Sequence, residues 1–235
     1  MLMNKYKYLD ELISKQIEFS KTIKWNSQNK HLIVANDVNQ ILEAFKLRYL
    51  VYEYEGYLTC EDREKDIITL FSKRIPEPFN ICGLLFDEYE QNSITLNYIK
   101  KDEVVGSIRI SFDIDKGLPF QENGYDFFSK LTQNYSTIEL TRQVTCPEQR
   151  GDKLIWPSFY REIYRFSQEN HFERVVADIA ESHYKLYKKF GGVTVEANLG
   201  NIYGVNENIF FLSWRTELAS NFFKRVILKE KNIMV

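Results

Sequence analysis

The chain has 235 residues, of which 44% are hydrophobic and 15% aromatic, so it can bury one sizeable core. It has no apolar run near the roughly 18 residues that a membrane-spanning helix needs, which predicts a protein without a transmembrane segment. The formal net charge is −2, from 31 basic and 33 acidic residues, and this balance argues against a nucleic-acid partner.

The cysteines and histidines favour neither a metal site nor disulfides. Cys60, Cys82 and Cys146 are odd in number, far apart and without CxxC spacing, and the three histidines are equally scattered. The N-terminal sequence MLMNKYKYLDELISKQ interrupts its apolar positions with acids, unlike a signal peptide. We therefore expect reduced thiols, no bound metal and a cytoplasmic location.

The first half of the chain predicts two helices followed by a hairpin. Leu9, Leu12, Ile13 and Ile17 share one helical face, so residues 4–24 form an amphipathic helix within an N-terminal extension at 1–28. The other expectations are a strand at 31–35, a helix from Val38 to about Tyr54 capped by Asp37 and Gln40, an irregular segment at 59–80, and two strands, ITLNYIK and EVVGSIRISF, that turn at Lys101 and Asp102.

The second half alternates strands and helices. The expected elements are a strand at 137–145, a helix at about 153–170, the strand ERVVADI, a helix ESHYKLYKKFGG ended by Gly191 and Gly192, the strands GVTVEAN and IFFLSWRT, and a C-terminal helix. Hairpin strands followed by alternation predict an α/β (α+β) fold, a mixed sheet with helices on both faces. Without repeats or linkers, we expect one domain over 1–235.

Ionisable residues interrupt two of these apolar strands. Arg109 lies in VVGSIRISFD, and Glu139 and Arg142 lie in IELTRQV. Buried charges are costly unless they are paired, so these residues are either edge-strand salt bridges or members of a functional cluster that contains both signs. Because Glu139 and Arg142 are three residues apart, a regular strand points them to opposite faces, whereas a bulge would turn both toward one cleft.

Four short motifs follow one another along the chain: Arg48-x-x-Val51-Tyr52, Asp87-Glu88-Tyr89-Glu90, Val105-Gly106-Ser107-x-Arg109 and Glu139-x-x-Arg142. In this order they resemble the motifs of the acyl-homoserine lactone (autoinducer) synthases and the related N-acyl amino acid synthases. Both belong to the GNAT acyltransferase superfamily, and the resemblance covers about residues 40–215. It implies the GNAT fold, with a twisted central sheet that splays at the fourth motif.

Two departures favour an N-acyl amino acid over a lactone as the product. Autoinducer synthases usually have a tryptophan shortly after the first motif, where this chain has Gly56-Tyr57-Leu58. Their paired aspartate motif ends here in Glu90. LRYLVYEYEGYL together with DEYEQNS looks closer to the N-acyl amino acid synthases.

The resemblance and the chemistry of amine acylation together suggest roles for the site residues. Glu139 is the candidate general base, and backbone N–H groups near Val144 are candidates to stabilise the oxyanion. Arg109 or Arg142 would bind the carboxylate of an amino-acid acceptor, with Asp87 near its ammonium group and Arg48 in the same cluster. The aromatic residues expected to line an acyl tunnel are Phe128 first, with Phe127, Trp156, Phe210 and Phe211.

The donor is expected to bind at CPEQRGDKL, which joins a strand to a helix. Gln149, Arg150 and Gly151 form a degenerate version of the GNAT phosphate-binding pattern, since only one glycine is present. Such a loop also occurs in relatives that use acyl carrier protein (ACP), so phosphopantetheine of acyl-ACP is favoured over acyl-CoA. No permanently bound cofactor is expected.

The sequence therefore predicts an N-acyltransferase that makes an N-acyl amino acid, with ACP and a small amine or amino acid as partners. Two alternatives remain at this point. One is an autoinducer synthase that acylates and lactonises S-adenosylmethionine, and the other is a non-catalytic GNAT-like protein that binds an acyl ligand or ACP.

Overall fold

The computed structural model describes residues 2–25, 27–57, 83–114, 117–123, 126–202 and 207–229, and the segment expected to be irregular, 59–80, lies outside these ranges. The chain divides into two compact units. The first comprises Met1–Ser111 and Arg142–Asp152, and the second comprises Phe112–Thr141 and Lys153–Val235. The single domain over 1–235 stays a prediction.

The first unit contains both predicted N-terminal helices and the predicted hairpin. The apolar face of the first helix is buried, with Leu9, Leu12 and Ile13 packed in one cluster with Phe45 and Phe86. The elements are α1 (Leu2–Thr22), β1 (Leu32–Val34), α2 (Val38–Tyr54), β2 (Ser93–Lys100) and β3 (Glu103–Phe112), with short 3₁₀ turns at Glu88–Asn92 and Pro147–Gln149.

The start of α2 confirms the predicted capping residues. The Asp37 carboxylate accepts a hydrogen bond from the Gln40 backbone N–H at 3.0 Å. The Gln40 side chain reaches back to the N–H of Asn36 at 3.0 Å, one residue earlier than in a standard capping box. The N–H of Gln40 in the first turn of α2 and that of Asn36 just before the helix thus have side-chain partners.

In the first unit, strand β2 pairs antiparallel with β1 on one side and with β3 on the other. The β2–β3 turn is formed by Lys101 and Asp102, whose φ values of 52° and 64° are those of a two-residue type I′ hairpin turn. The turn pairs Lys100 with Glu103, and a β-bulge between Tyr98 and Ile99 then shifts the register by one residue, so that Thr95 lies opposite Arg109. One ionisable residue of the predicted site is thereby aligned with a hydroxyl.

The second unit contains a mixed sheet in the order β4-β5-β7-β6. The pair β4–β5 is parallel, and β5–β7 and β7–β6 are antiparallel. Strand β4 begins in this unit and continues into the first unit at Arg142. The elements are α3 (Asp126–Asn134), β4 (Thr137–Thr145), α4 (Ile155–Glu169), β5 (Arg174–Ala180), α5 (Glu181–Tyr187), β6 (Val193–Gly200) and β7 (Ile209–Trp214).

Two features of this unit differ from expectation. Helix α3 was not predicted, although Phe128 and Leu131 at helical spacing are buried there. After β7, where a C-terminal helix is expected, the chain forms a 3₁₀ turn and a short helical segment whose Phe223–Ile227 portion is π-helical. Phe223 and Ile227 are both buried, so the wider π turn still puts two apolar side chains into the core.

Candidate active site

The first unit brings four of the predicted site residues together with Glu90. These five residues are called the charge cluster below. Arg109 Nη1 donates to Asp87 Oδ1 and, at 2.9 Å, to Glu90 Oε1. Arg48 Nη1 donates to Glu90 Oε1 at 2.7 Å, and Arg142 Nη2 donates to Asp87 Oδ2 at 2.6 Å. Two carboxylates therefore bridge three guanidinium groups.

Local backbone structure sets the spacing of the two carboxylates. Asp87 caps the 3₁₀ turn Glu88–Asn92, because its Oδ1 accepts from the Tyr89 N–H at 3.0 Å. A 3₁₀ turn has about three residues per turn, so Asp87 and Glu90 lie on the same side of it. Arg109 on β3 contacts both carboxylates, and Thr95 across the hairpin accepts from Arg48 Nη2 at 3.0 Å.

Arg142 has an unusual backbone conformation for a strand residue. Its φ is 55°, in the left-handed region that non-glycine residues rarely occupy. The paired register of β4 with β5 runs from Thr137 to Leu140, just before this residue. A left-handed residue interrupts the two-residue alternation of the strand, as the hypothesis of a bulge between Glu139 and Arg142 requires.

The cluster keeps its central carboxylate ionised. Burial raises the pKa of Asp87, but the guanidinium groups of Arg109 and Arg142 outweigh it and hold that pKa well below its usual range. Burial lowers the pKa of Arg142, whereas Asp87 and a hydrogen bond with Tyr52 raise it, and the net shift is upward. Asp87 is therefore a carboxylate at neutral pH, suited to binding a cation.

Glu139 lies in the second unit beside a cluster of aromatic rings. Its side chain is 1% exposed, and Oε2 accepts from the Phe120 backbone N–H at 3.1 Å. The Phe120 ring stacks on Phe211 at 4.2 Å and packs against Phe128 at 5.3 Å. The general-base role of Glu139 stays a prediction.

The other predicted catalytic residue, Val144, lies in the first unit. Its side chain is buried against Leu47 and Val51. The role assigned to the backbone N–H groups near it stays a prediction.

The residues expected to line an acyl tunnel separate into different packing groups. Phe128 and Phe211 contact each other at 5.2 Å. Phe210 faces Tyr184, and Trp156 packs instead with Tyr160 at 4.6 Å. The side chain of Phe127 lies outside the described residues.

A cavity of about 420 Å³ lies elsewhere in the second unit, and none of the predicted site residues lines it. Its lining residues are Phe112, Asp113, Ile114, Thr132, Gln133, Asn134, Tyr135, Ser136, Thr137 and Phe172. An acyl tunnel at Phe128 therefore stays a prediction.

The predicted donor loop is held by side-chain contacts in the first unit. Gln149 Oε1 accepts from Lys100 Nζ at 2.7 Å. Arg150 pairs with Glu55 and lies over the Tyr54 ring at 5.5 Å. A Cβ added to Gly151 would meet nothing within 4 Å, so no protein atom covers the backbone of Gly151 in the direction of a side chain.

Two residues that contact the arginines of the site, Glu90 and Thr95, were not predicted from the sequence. Glu90 was read as a departure from a family motif, although its spacing of three from Asp87 was the available signal. Thr95 gave no signal of its own, because a hydroxyl in an apolar strand has many ordinary explanations. Arg48 lies on α2 and Thr95 on β2, so the packing of this helix against this strand brings the two side chains together.

The structure describes one of the three cysteines, and its description of possible metal sites covers the same part of the chain. Cys146 is a free thiol whose Sγ donates to Glu148 at 2.6 Å, while Cys60 and Cys82 lie outside the described residues. Among the residues that the structure describes, no group of three or more His, Cys, Asp or Glu could hold a metal ion. In the same part of the chain, no helix is long and apolar enough to cross a membrane.

The sequence of residues 43–213 matches the family described as N-acyl amino acid synthase FeeM. None of the curated protein sequences compared with this chain matches it.

Solved structures share the fold, among them those of FeeM, LasI and BjaI. FeeM, an N-acyl amino acid synthase from uncultured soil microbes, has a TM-score of 0.57 at 16% identity, covering 79% of this chain and 89% of FeeM. The acyl-homoserine lactone synthase LasI has a TM-score of 0.57 at 16% identity, covering 88% and 100%. BjaI, a CoA-dependent acyl-homoserine lactone synthase solved with SAM and isopentyl-CoA, has a TM-score of 0.56 at 15% identity, covering 85% and 87%. The predicted GNAT acyltransferase fold is confirmed.

Proposed function

The chain belongs to the FeeM family of N-acyl amino acid synthases and is an acyltransferase, and from that premise we propose that it transfers a fatty acyl group from an acyl-carrier thioester to the amine of an amino acid. The charge cluster is the observation that carries this proposal. An amino acid presents one ammonium and one carboxylate, and the cluster offers an ionised Asp87 beside arginines.

Among the arginines of the cluster, Arg142 is best suited to bind the acceptor carboxylate. Its side chain is 8% exposed, compared with 1% for Arg109 and 0% for Arg48. Arg109 is shared between Asp87 and Glu90, and therefore has a bridging role that a substrate would have to disrupt. We assign recognition of the carboxylate to Arg142 and assembly of the cluster to Arg109 and Arg48.

The reaction is a direct attack of the amine on the thioester carbonyl. A C–N bond forms, the C–S bond breaks, and the carrier leaves as a thiol. An ammonium group is not nucleophilic, so Glu139 removes the proton, directly or through a water. Backbone N–H groups near Val144 stabilise the negative charge that the carbonyl oxygen gains.

Acyl-ACP is the proposed donor. The donor loop combines Arg150 with a single open glycine, a small binding surface that fits one phosphodiester better than the larger anionic head of coenzyme A. Because the related fold of BjaI was solved with isopentyl-CoA, both thioesters belong in the test.

The test is thiol release from purified protein given acyl-ACP or acyl-CoA together with single amino acids, with mass spectrometry of the product. We expect an N-acyl amino acid from acyl-ACP and a much slower reaction with the decarboxylated amine. Release of methylthioadenosine from S-adenosylmethionine would instead indicate a lactone synthase. Binding of acyl-ACP without thiol release for any amine would refute catalysis and indicate a binding protein.

A further inference from the structure

Gln16 is a polar side chain in the middle of the buried face of helix α1. Leu12 and Ile13 are buried on that face, and Gln16, three residues after Ile13, is 0% exposed. A buried amide is costly unless it is hydrogen-bonded, and an apolar residue would suit a helix that only covers the core. The position of Gln16 therefore requires a specific reason.

The amide of Gln16 contacts the charge cluster. Its Nε2 donates to Glu90 Oε2 at 3.3 Å and to Thr95 Oγ1 at 3.0 Å. The other oxygen of Glu90 accepts from Arg48 and Arg109. Gln16 thus holds the oxygen of Glu90 that the two arginines do not bind in these contacts.

A second residue of α1, Tyr8, lies close enough to the same acidic motif to be affected by its charge. Burial, then Glu88 and Asp87, raise the pKa of Tyr8 to about 12, so its hydroxyl stays neutral near these carboxylates. Tyr8 and Gln16 are eight residues apart, close to two turns plus one residue, and so lie on the same side of α1. The helix presents two polar groups to the segment that contains Asp87 and Glu90.

We infer that Gln16 is a positioning residue, through which α1 fixes the Glu90 carboxylate between Arg48 and Arg109 and so becomes part of the acceptor site. Without this contact, Glu90 can rotate about its side-chain torsions, and Arg109 loses one of its two carboxylate partners. The effect on acceptor binding rests on the proposed function. The contact itself does not.

The contact is tested first without any substrate. Gln16→Met keeps the length of the side chain and removes both donors, and methionine suits a buried helix face. A double-mutant cycle with Glu90→Gln, measured by denaturant unfolding, should give a coupling of roughly 3- to 10-fold in the unfolding constant. Ser20→Ala is the matched control, because Ser20 is buried on α1 and its Oγ has no hydrogen-bond partner. Its cycle with Glu90→Gln should be additive.

The second measurement separates positioning from packing. With the amino acid that the wild type acylates best, Gln16→Met should raise the KM for the acceptor about 10-fold and leave the KM for the acyl donor unchanged. Gln16→Asn, whose amide is one methylene shorter, should change the acceptor KM in the same direction, and Ser20→Ala should change neither constant.

Additive unfolding in the Gln16 cycle, or an unchanged acceptor KM in an active Gln16→Met enzyme, would overturn the inference. If the wild type acylates no amino acid, the proposed function fails, and the unfolding cycle alone decides whether Gln16 positions Glu90.

Discussion

At the scale of single residues, the charges inside the first unit are tolerated because each has a partner of opposite sign. Arg109 bridges Asp87 and Glu90, and Arg142 adds a second contact to Asp87. Replacing a whole buried ion pair with apolar groups is often neutral, but removing one partner leaves a charge uncompensated. Removing Arg109 therefore takes a donor from two buried carboxylates, whereas removing Arg142 takes a donor from Asp87 alone.

Substitutions of these two arginines should therefore affect different properties, stability in one case and acceptor binding in the other. Arg109→Met leaves two buried carboxylates without their shared donor, so the free energy of unfolding should fall by about 3 to 5 kcal/mol. Arg142→Lys keeps the charge but loses the planar fork, so the protein should stay folded while the acceptor KM rises about 10-fold or more. Denaturant unfolding and steady-state kinetics on the same preparations check both. A stable Arg109→Met enzyme with normal KM would remove the assembly role.

Glu139 gives the sharpest test of catalysis. Glu139→Gln keeps the size of the side chain and an oxygen that can accept from the Phe120 N–H, but it cannot take a proton. If Glu139 is the base, kcat should fall by roughly 10²- to 10⁴-fold with little change in the melting temperature. Near-normal turnover in a folded variant would exclude the general-base assignment.

At the scale of elements, the sequence predicted most helices and strands because their apolar periodicities were strong. Leu9, Leu12 and Ile13 identified α1, and the polar turn at Lys101 and Asp102 identified the β2–β3 hairpin. Helix α3 was missed although it is longer than α5, because Phe128 and Leu131 give it only one buried apolar pair at helical spacing. The contact between Gln16 and Glu90 was not predictable either, because it depends on how α1 packs on a segment more than 70 residues away.

The donor loop is an element whose role is still a prediction, and its contacts make a discriminating test possible. Arg150 pairs with Glu55, and both side chains are partly exposed, so the pair should contribute less than about 1 kcal/mol to stability. If Arg150 binds the phosphate of the donor, Arg150→Ala should raise the KM for acyl-ACP several-fold. Glu55→Gln, which frees Arg150, should lower it or leave it unchanged.

Gly151→Ala serves as an independent probe of the same loop. The added methyl group meets no neighbour in the protein, so stability should not change. A selective rise in the KM for acyl-ACP would indicate that the donor approaches this backbone. Equal effects of all three variants on donor and acceptor would count against the loop as the donor site.

At the scale of the whole molecule, the low pKa of Asp87 links stability to pH. Because this pKa is depressed in the folded protein by Arg109 and Arg142 despite burial, the unfolded chain binds a proton there more readily than the folded protein does. The corresponding stability is fully present above the unfolded-state pKa, about 3.9, and is lost as the pH falls below it. Acid should therefore unfold the protein partly through this one carboxylate.

We predict that removing this carboxylate changes how steeply the free energy of unfolding depends on pH, as well as its value at pH 7. Asp87→Asn should lower the free energy of unfolding at pH 7, and below about pH 4 its stability should fall less steeply than that of the wild type, by up to about 1.4 kcal/mol per pH unit. Glu43→Gln is the matched control, since Glu43 is 55% exposed and its ion pair with Lys46, at 4.0 Å, lies on the protein surface. It should leave the slope unchanged. Urea unfolding at intervals between pH 7 and pH 3 measures all three proteins, and parallel curves for the wild type and Asp87→Asn would show that Asp87 is not held as a carboxylate by the arginines of the cluster.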